Sequence, residues 1–591
     1  MGDRVVLPPQ PLAHIVTAIS TAATYVTARH LLGWPAGVAA ALAVVAAPIV
    51  ALKWPRFATD TLRLHGTVLP GVPGDGDGWL LGRAPELARA MAAKRTCFLM
   101  TAWRSAAGSA NYQVWLGGKR RVFLSNPSDI AHVLGRVAPP RDMRWMRAFG
   151  LPISPKVIIL SAGAEHVAAR RLLAGPLADG RVLGGAAAGV VADVCGEGDD
   201  PIGGALAAAA DNGTPADVAE AAEEITLRAM HRTMVSSPAT PGVNFGPALR
   251  ELFPLLLPLM LVPAPGVFAP RRLARIRALG DRFRQYMVLH EAARRAAYAA
   301  GTWPRSPPRD ILDVLLSDSD GGGVYAGDRD RLAADFMALL VAGVDTTAHS
   351  LQWGIYLLCT HPDIQARVFE EVSTVLPPAL SEGANGLLPR PVKAEAPLSS
   401  PPPSPALDAR TFTSLPYLNA VWKETLRLYP PAASGVSRRL ATDVTLPSCG
   451  AVLPAGTSIK MPHHMTFRSP QNYPHPETFD PDRWITPVNG ANGHSTRGGG
   501  GQGGCGGGSN KGSAKGLGEN AWRPFGMGPG SCMGRDLAEV EWKAAVAALV
   551  TKYEVSLAGP ASGVKEIDAI TLRPSQMLVR LRRRVTESAA A

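Results

Sequence analysis

The sequence contains little cysteine, and this scarcity excludes several kinds of protein. Only six cysteines occur in 591 residues, and they lack the paired spacing of a disulfide framework. The pattern fits a reducing compartment, where one thiolate can be kept for chemistry. Histidine is absent from Met527 to Ala591. Cys532, the only cysteine in that stretch, therefore lacks the neighbouring ligands that a zinc site requires.

Other absences narrow the function further. No run of Lys and Arg with interleaved aromatic residues is present, so we expect no nucleic-acid partner and interpret most basic residues as a solvated face. No internal repeat and no flavin or nicotinamide motif is found. The net charge of +12 suits an anionic membrane surface or an acidic protein partner.

A long uncharged segment near the N-terminus predicts a membrane anchor. Residues 31–52 carry no charged side chain, and about 20 apolar residues are enough to span a bilayer. Lys53 and Arg56 follow at once, as expected for a cytosolic flank. We predict a targeting or second membrane segment at 1–30, a transmembrane anchor at 31–52 and a Pro/Gly hinge at 53–78. The alternative for residues 31–52 is a buried core helix.

The remainder, residues 79–591, is predicted to be one catalytic domain with two low-complexity inserts. Residues 380–409 are rich in Pro and Ser, and residues 493–520 are rich in Gly. Such compositions have little apolar surface to bury, so both segments are expected to lie outside the packed core.

The stretch FGMGPGSCMG, Phe525–Gly534, surrounds a single thiol with glycines. Three interpretations compete: an inert cysteine, a dinucleotide-binding loop and a metal ligand. The dinucleotide motif is incomplete because Ser531 occupies its last glycine position. Apolar spacing predicts a helix over 535–550, which places Cys532 at a helix N-terminus, where a thiolate is favoured. A solitary thiolate on a Gly-rich turn suits a haem iron.

This loop resembles the haem-binding loop of the cytochrome P450 family, F-x-x-G-x-[RH]-x-C-x-G. Phe525, Gly528, Cys532 and Gly534 match, whereas Gly530 stands where the family has Arg or His. The resemblance implies a mainly α fold with small β-sheets, preceded here by the transmembrane helix. It also implies haem b bound between two helices, with Cys532 as the axial iron ligand.

A second motif lies in a long apolar segment, LAADFMALLVAGVDTTAHSLQWGIYLLC. Buried polar groups cost free energy unless they are satisfied, so Asp345 and Thr346 suggest a function. A helix kink with a back-bonded Thr is the alternative. The segment resembles the family's [AG]-G-x-[DE]-T-[TS]. There, Ala342 and Gly343 would leave room for oxygen, and Asp345 and Thr346 would be the catalytic residues that deliver protons.

Further matches follow in the family's order. His166 and Arg170, four residues apart on a predicted helix, resemble the family's W/H-x-x-x-R pair that holds a haem propionate, and Arg438 stands at a third such position. An exposed pair at this spacing would ordinarily be a surface feature. Glu424 and Arg427 match E-x-x-R, and the resemblance pairs them with Arg483 as a structural triad. By family position, the pocket candidates are Phe336, Leu340, Ala342, Gly343, Val436 and Met577.

The resemblance implies a membrane-anchored, microsomal-type monooxygenase. It would insert one atom of O₂ into a lipophilic small molecule with electrons from an NADPH-dependent flavoprotein reductase, or from a ferredoxin in a plastid. We expect a monomer on the endoplasmic reticulum with a cytosolic catalytic domain. A plastid envelope or thylakoid membrane is the alternative location. A haem-thiolate isomerase or dehydratase acting on peroxides, and a non-enzymatic membrane haem sensor, are the alternative functions.

Overall fold

The structure, a computed structural model, describes residues 69–73, 82–116, 119–142, 154–198, 200–236, 246–259, 269–376, 409–485 and 521–584. Helices dominate these residues. In chain order the α-helices are α1 Ala84–Ala92, α2 Thr96–Ala107, α3 Pro127–Ala131, α4 Gly163–Leu177, α5 Gly180–Cys195, α6 Gly203–Asp211, α7 Val218–Val235, α8 Gly246–Leu259, α9 Pro270–Ala299, α10 Ile311–Asp320, α11 Arg329–Thr360, α12 Pro362–Ser373, α13 Ala409–Thr413, α14 Pro416–Leu428, α15 His463–Phe467 and α16 Arg535–Lys552.

The strands form four small sheets. In chain order they are β1 Asn111–Leu116, β2 Lys119–Leu124, β3 Ala216–Asp217, β4 Val436–Arg439, β5 Val444–Thr445, β6 Val452–Leu453, β7 Ser458–Met461, β8 Tyr553–Leu557, β9 Glu566–Asp568, β10 Leu572–Pro574 and β11 Leu578–Arg583. The largest sheet has the order β1-β2-β7-β4, and the others are β3-β11-β8, β5-β6 and β9-β10. Strand β2 pairs with β7 in parallel, with Val122 opposite Ile459.

Helix α11 organises the core. The side chain of Asp328 accepts a hydrogen bond from the backbone N–H of Arg331 and caps the helix N-terminus, and the helix ends before Pro362. Its N-terminal half buries Leu340 in one hydrophobic cluster, whereas its C-terminal half buries Leu351 in a second cluster with α5, α7, α12, α14 and α16. One long apolar helix therefore joins both halves of the core.

Part of the predicted hinge belongs to the folded domain. Leu69 and Val72 are buried, and the backbone N–H of Gln113 in β1 donates a hydrogen bond of 3.0 Å to the carbonyl of Pro70. Gly71 also forms a bridge with Gln113. The segment thus continues the edge of the largest sheet, because its backbone groups find partners there.

Several predicted segments fall outside the described residues. These are residues 1–30, the anchor at 31–52, the insert at 493–520 and all of the insert at 380–409 except Ala409, which begins α13. Within the described ranges, no helix is both long and apolar enough to cross a membrane. The anchor therefore stays a prediction from the sequence.

A buried acid lies in α16. Glu541 is 2% exposed, and in the described part of the chain its Oε1 has no hydrogen-bond partner. The guanidinium of Arg232 in α7 lies near it but donates two hydrogen bonds, of 2.7 and 2.6 Å, to Asp193. Burial raises the pKa of Glu541 to about 8, opposed only partly by Arg232. The carboxyl is therefore neutral at physiological pH.

Replacing Glu541 by Gln should increase stability at alkaline pH. The folded pKa lies above the ordinary value of 4.5, so the folded state holds the proton more tightly. Stability is then lost as the pH rises from roughly 4.5 to 8, by on the order of 1.4 kcal/mol for each pH unit. Glu541→Gln removes this loss. Denaturant unfolding of the haem-loaded protein should show a gain at about pH 8 that shrinks toward about pH 5. A difference that does not change with pH would contradict this assignment.

Candidate active site

The loop before α16 turns tightly around the thiol of Cys532. Gly526 and Gly528 have positive φ angles of 74° and 67°, which side chains rarely adopt. A Cβ on Gly528 would lie 2.2 Å from the carbonyl oxygen of Leu134, so this backbone approach also requires glycine. The backbone N–H of Cys532 donates a 2.8 Å hydrogen bond to the carbonyl of Phe525 and closes the loop.

The thiol of Cys532 lies deep in the protein but is not covered by packed side chains. The residue is exposed, while surrounding atoms bury the thiol enough to raise its pKa. The backbone N–H of Gly534, Arg170 and Arg535 all act to lower that pKa. The N-terminus of α16 acts to favour the thiolate, but burial outweighs it and the thiol is favoured overall, contrary to the expectation from the sequence. Binding to a metal would reverse this balance, because a coordinated thiol is deprotonated.

Four basic side chains converge on this loop. The guanidinium of Arg170 in α4 donates a hydrogen bond to the carbonyl of Ser531, next to the thiol. One turn earlier, burial and the positive charges of Arg141 and Arg170 lower the pKa of His166. Burial and Arg141 lower the pKa of Arg438 in β4 to about 10. Positive charge is thus concentrated beside Cys532.

Arg141 is the member of this cluster that sequence reasoning missed. Its backbone bridges to Arg438, and its guanidinium donates a 2.8 Å hydrogen bond to the carbonyl of Ile159. Burial and the charge of Arg170 lower the pKa of Arg141. It belongs to none of the quoted family motifs, and only the fold brings it to the other cations.

Arg438 explains the glycine at position 530. A Cβ on Gly530 would lie 2.5 Å from Nη2 of Arg438, so the guanidinium fills the space that a side chain would enter. Gly530 does not have a positive φ, and backbone strain is therefore not the reason for it. The loop itself thus lacks the cation of the family motif, at a position that the guanidinium of Arg438 adjoins.

The residues of this site fit a haem. In the described ranges, neither Arg141, Arg170 nor Arg438 has a carboxylate within ion-pair distance, whereas buried charges are normally paired. A bound group with negative charge would compensate them, and the two propionates of a haem have that charge. Beside the cations, the Gly-rich loop offers one soft thiol ligand and a backbone that a flat group can approach.

Helix α11 has an open face at the predicted catalytic motif. Ala342 is exposed although its neighbours Leu340 and Val344 are buried. The hydroxyl of Thr346 donates a 2.7 Å hydrogen bond to the carbonyl of Ala342. This is the back-bonded geometry of the kink interpretation, and it also leaves the hydroxyl oxygen free to accept on the open face.

Gly343 has a packing role that the sequence did not reveal. A Cβ there would lie 2.3 Å from Sδ of Met230. Glycine therefore permits α7 to pack closely against α11. Gly343 faces this helix contact, whereas Ala342 is the small residue on the open face.

Asp345 is held by two residues that sequence reasoning missed. The hydroxyl of Thr571 donates a 2.5 Å hydrogen bond to Oδ2 of Asp345, and Nδ1 of His349 lies 2.9 Å from the same hydroxyl oxygen. Thr571 stands in the turn of the β9–β10 hairpin, where Leu572 pairs with Asp568. The helical spacing of Asp345 and His349 could have indicated their proximity, but the hairpin contact depends on the fold.

The pocket candidates named by family position lie in different parts of the structure and differ in burial. Phe336 and Leu340 are buried in the core cluster of α9 and α11, and Met577 is buried in the other cluster. Val436 is partly buried in β4. Residues 569–571 form the turn of the hairpin between strands β9 and β10. Ile570 at this tip packs against the cluster that contains Phe336.

Glu424, Arg427 and Arg483 form one buried network. Arg427 donates two hydrogen bonds of 2.8 Å to the Glu424 carboxylate, and Arg483 donates one of 2.9 Å. Trp484 and the backbone N–H of Asp480 add bonds of 2.8 and 3.0 Å. The side chains of Glu424 and Arg427 are 0% exposed. This carboxylate is fully paired, as a buried charge requires.

The chain belongs to the cytochrome P450 family, since the family model described as Cytochrome P450 matches residues 73–579. A crystal structure of a cytochrome P450, CYP102L1, superposes with a TM-score of 0.63 at 19% identity, covering 83% of this chain and 98% of the other. This likeness shows the fold. The mainly helical P450 fold with small sheets, predicted from the sequence, is confirmed.

Two similar proteins are named as a monooxygenase and a hydroxylase. The cytochrome P450 monooxygenase sphH of Aspergillus fumigatus is 33% identical over 267 residues, which are 45% of this chain and 40% of that protein. The mitochondrial sterol 26-hydroxylase of Mus musculus is 32% identical over 241 residues, 41% of this chain and 36% of that protein. The chain thus aligns with less than half the length of these relatives. They support the predicted enzyme class, a cytochrome P450 monooxygenase.

Arg438→Ala should weaken haem retention. A charge-assisted hydrogen bond contributes about 1.5–3 kcal/mol, so haem transfer to an acceptor apoprotein should become roughly ten- to hundredfold faster. Arg439→Ala is the matched control, because its guanidinium lies near Gly456 on the other face of β4.

The double variant Arg438→Ala/Gly530→Arg tests whether an arginine on the loop can take over the role of Arg438. Arg438→Ala empties the space beside the loop, and the new arginine should return a guanidinium to it and slow haem transfer again. Equal transfer rates for the parent and Arg438→Ala would contradict the role of Arg438. If haem transfer from the double variant stays as fast as from Arg438→Ala, an arginine at position 530 cannot take over this role.

Proposed function

We propose that this protein is a haem-thiolate monooxygenase that inserts one atom of O₂ into a lipophilic small molecule. The observation that carries the proposal is the position of Cys532 on a Gly-rich loop beside arginines that have no carboxylate partner among the residues the structure describes. Membership of the cytochrome P450 family supports the same class. Cys532 would be the axial ligand of haem b, and His166, Arg141, Arg170 and Arg438 would hold its propionates.

The side chains around this site divide the remaining work. When bound, a thiolate-ligated haem supplies the oxygen chemistry, since a thiolate favours O–O cleavage. Arg170 also fixes the backbone of the thiolate loop through Ser531. On the open face of α11, the Thr346 hydroxyl can accept a hydrogen bond while donating to Ala342, and Asp345 offers a carboxylate beside it. Together they can hold a proton where oxygen reacts.

The pair of Asp345 and Thr346 favours a monooxygenase over the alternative haem-thiolate enzymes. An isomerase or dehydratase that rearranges a peroxide has both oxygen atoms in its substrate and needs no protons from an external relay. An acid and a hydroxyl on the open face would have no evident task in such an enzyme. A non-enzymatic haem sensor would not require them either.

We propose a large lipophilic substrate, with sterols as the first class to test. The sterol 26-hydroxylase supports this choice, as do the apolar residues Val436 and Ile570 near the predicted pocket. Electrons would come from NADPH through a separate flavoprotein reductase or a ferredoxin. The net charge of +12 suits an acidic redox partner, and the segment 31–52 supports attachment to a membrane.

Cys532→Ala should abolish the spectrum of thiolate ligation. The reduced parent protein under CO should show a strongly red-shifted Soret band, because a thiolate donates electron density to the iron. Cys449→Ala is the matched control, since Cys449 is also an exposed free cysteine. The proposal fails if Cys532→Ala retains the red-shifted band or if the parent lacks it.

Thr346→Ala should divert electrons to hydrogen peroxide while haem content stays at the parent level. The reason is that proton delivery depends on the hydroxyl. The measurement is hydrogen peroxide formed per NADPH consumed, with the reductase and a sterol that binds. Thr360→Ala is the control, because Thr360 bonds back to the Tyr356 carbonyl at 3.0 Å at the end of the same helix. A parent-like ratio accompanied by lower stability would assign Thr346 a structural role instead.

A further inference from the structure

Three polar side chains connect helix α11 to the β9–β10 hairpin. Thr571 Oγ1 lies 2.5 Å from Oδ2 of Asp345 and 2.9 Å from Nδ1 of His349. Nδ1 of His349 lies 3.6 Å from Oδ2 of Asp345, so the direct contact is longer than a hydrogen bond. The threonine hydroxyl therefore mediates between the imidazole and the carboxylate.

The direction of these hydrogen bonds follows from proton counting. Thr571 donates its single hydroxyl proton to Oδ2 of Asp345. The oxygen of Thr571 must then accept from His349, which requires a proton on Nδ1. The chain runs from His349 through Thr571 to Asp345. Each bond polarises the next, and together they stabilise the carboxylate in one orientation.

The surroundings hold this chain in place. His349 is 5% and Thr571 9% exposed. Burial lowers the pKa of His349; Asp345 and Glu223 oppose this shift and Arg573 adds to it. The imidazole is therefore neutral at physiological pH. Trp353, one turn after His349, donates a 3.2 Å hydrogen bond to the carbonyl of Leu572, which fixes the residue next to Thr571.

We propose that His349 and Thr571 are positioning residues for Asp345, which they hold in a single orientation beside Thr346. The inference rests on the proposed function, because the orientation matters only where Asp345 serves proton delivery. Oδ2 accepts the hydrogen bond from Thr571, so the hairpin fixes the orientation of the carboxylate. Loss of the Thr571 hydroxyl would free the carboxylate to rotate about χ2 and would disturb proton delivery.

The chain also links the hairpin tip to the catalytic acid. Ile570 precedes Thr571 and packs against the cluster beside α11.

Infrared spectroscopy of the haem-loaded protein tests the positioning role without catalysis. The difference spectrum between the parent and Asp345→Asn isolates the carboxylate band of Asp345. The same difference is recorded in the backgrounds Thr571→Val, which has the same shape without the hydroxyl, Thr571→Ser, which keeps the hydroxyl, and His349→Gln. Thr101→Val is the matched control, because Thr101 Oγ1 lies 3.1 Å from Nδ1 of the buried His464 outside this site.

The expected result is a shifted carboxylate band in Thr571→Val and His349→Gln, with parent-like bands in Thr571→Ser and Thr101→Val. An unshifted band in Thr571→Val would overturn the proposal. The ratio of hydrogen peroxide to NADPH should rise in Thr571→Val and return toward the parent value in Thr571→Ser. An equal ratio in both, despite a shifted band, would also overturn it.

The two levels of inference fail separately. A parent without NADPH- and O₂-dependent product formation would refute the proposed function, whatever the infrared result. Thermal unfolding adds an independent check, because groups that act as a unit are not additive. The Thr571→Val/Asp345→Asn double variant should lose no more in Tm than the worse single variant. Additive losses would count against the bond.

Discussion

The buried carboxylate of Glu424 is the interaction on which the site depends most. It accepts hydrogen bonds from two arginines, a tryptophan and a backbone N–H, and its own side chain is fully buried. Removing it would leave two buried guanidinium groups without compensation, and such a loss costs several kcal/mol. The network stabilises a particular arrangement of irregular chain, and it does so because each of its charges is satisfied.

Aromatic side chains connect the Glu424 network to the loop that contains Cys532. Trp484, which donates to Glu424, lies edge-on to Trp522 at 5.7 Å, on the far side of the segment 486–520. Trp522 donates to the carbonyl of Lys423 in α14 at 3.1 Å. Trp422 stacks on Phe525 at 5.8 Å, and the Phe525 carbonyl receives the N–H of Cys532. Helix α14 thus contacts the described residues on both sides of segment 486–520. Through Trp522 and Phe525 it also supports the loop that contains Cys532.

The sequence predicted features that local spacing or a family motif encodes. Cys532 in its Gly-rich loop, the open position at Ala342 and the pairing of Glu424 with Arg427 all belong to this kind. Arg141, Thr571 and the contact between Gly343 and Met230 could not be predicted in the same way. Each brings together residues that are far apart in sequence, and its side chain gains a role only when the helices and the hairpin have packed.

Gly530 lies among arginines that come from other parts of the fold. Burial lowers the pKa values of Arg141 and Arg438, and repulsion from a neighbouring arginine adds to the shift in each case. A further arginine on the loop would add to this repulsion and would meet the guanidinium of Arg438. The guanidinium of Arg438 lies beside Gly530, and Arg141, Arg170 and Arg438 together supply the positive charge near Cys532. The positive charge near Cys532 thus comes from α4, β4 and the segment before α4, and the Gly-rich loop Phe525–Gly534 supplies none of it.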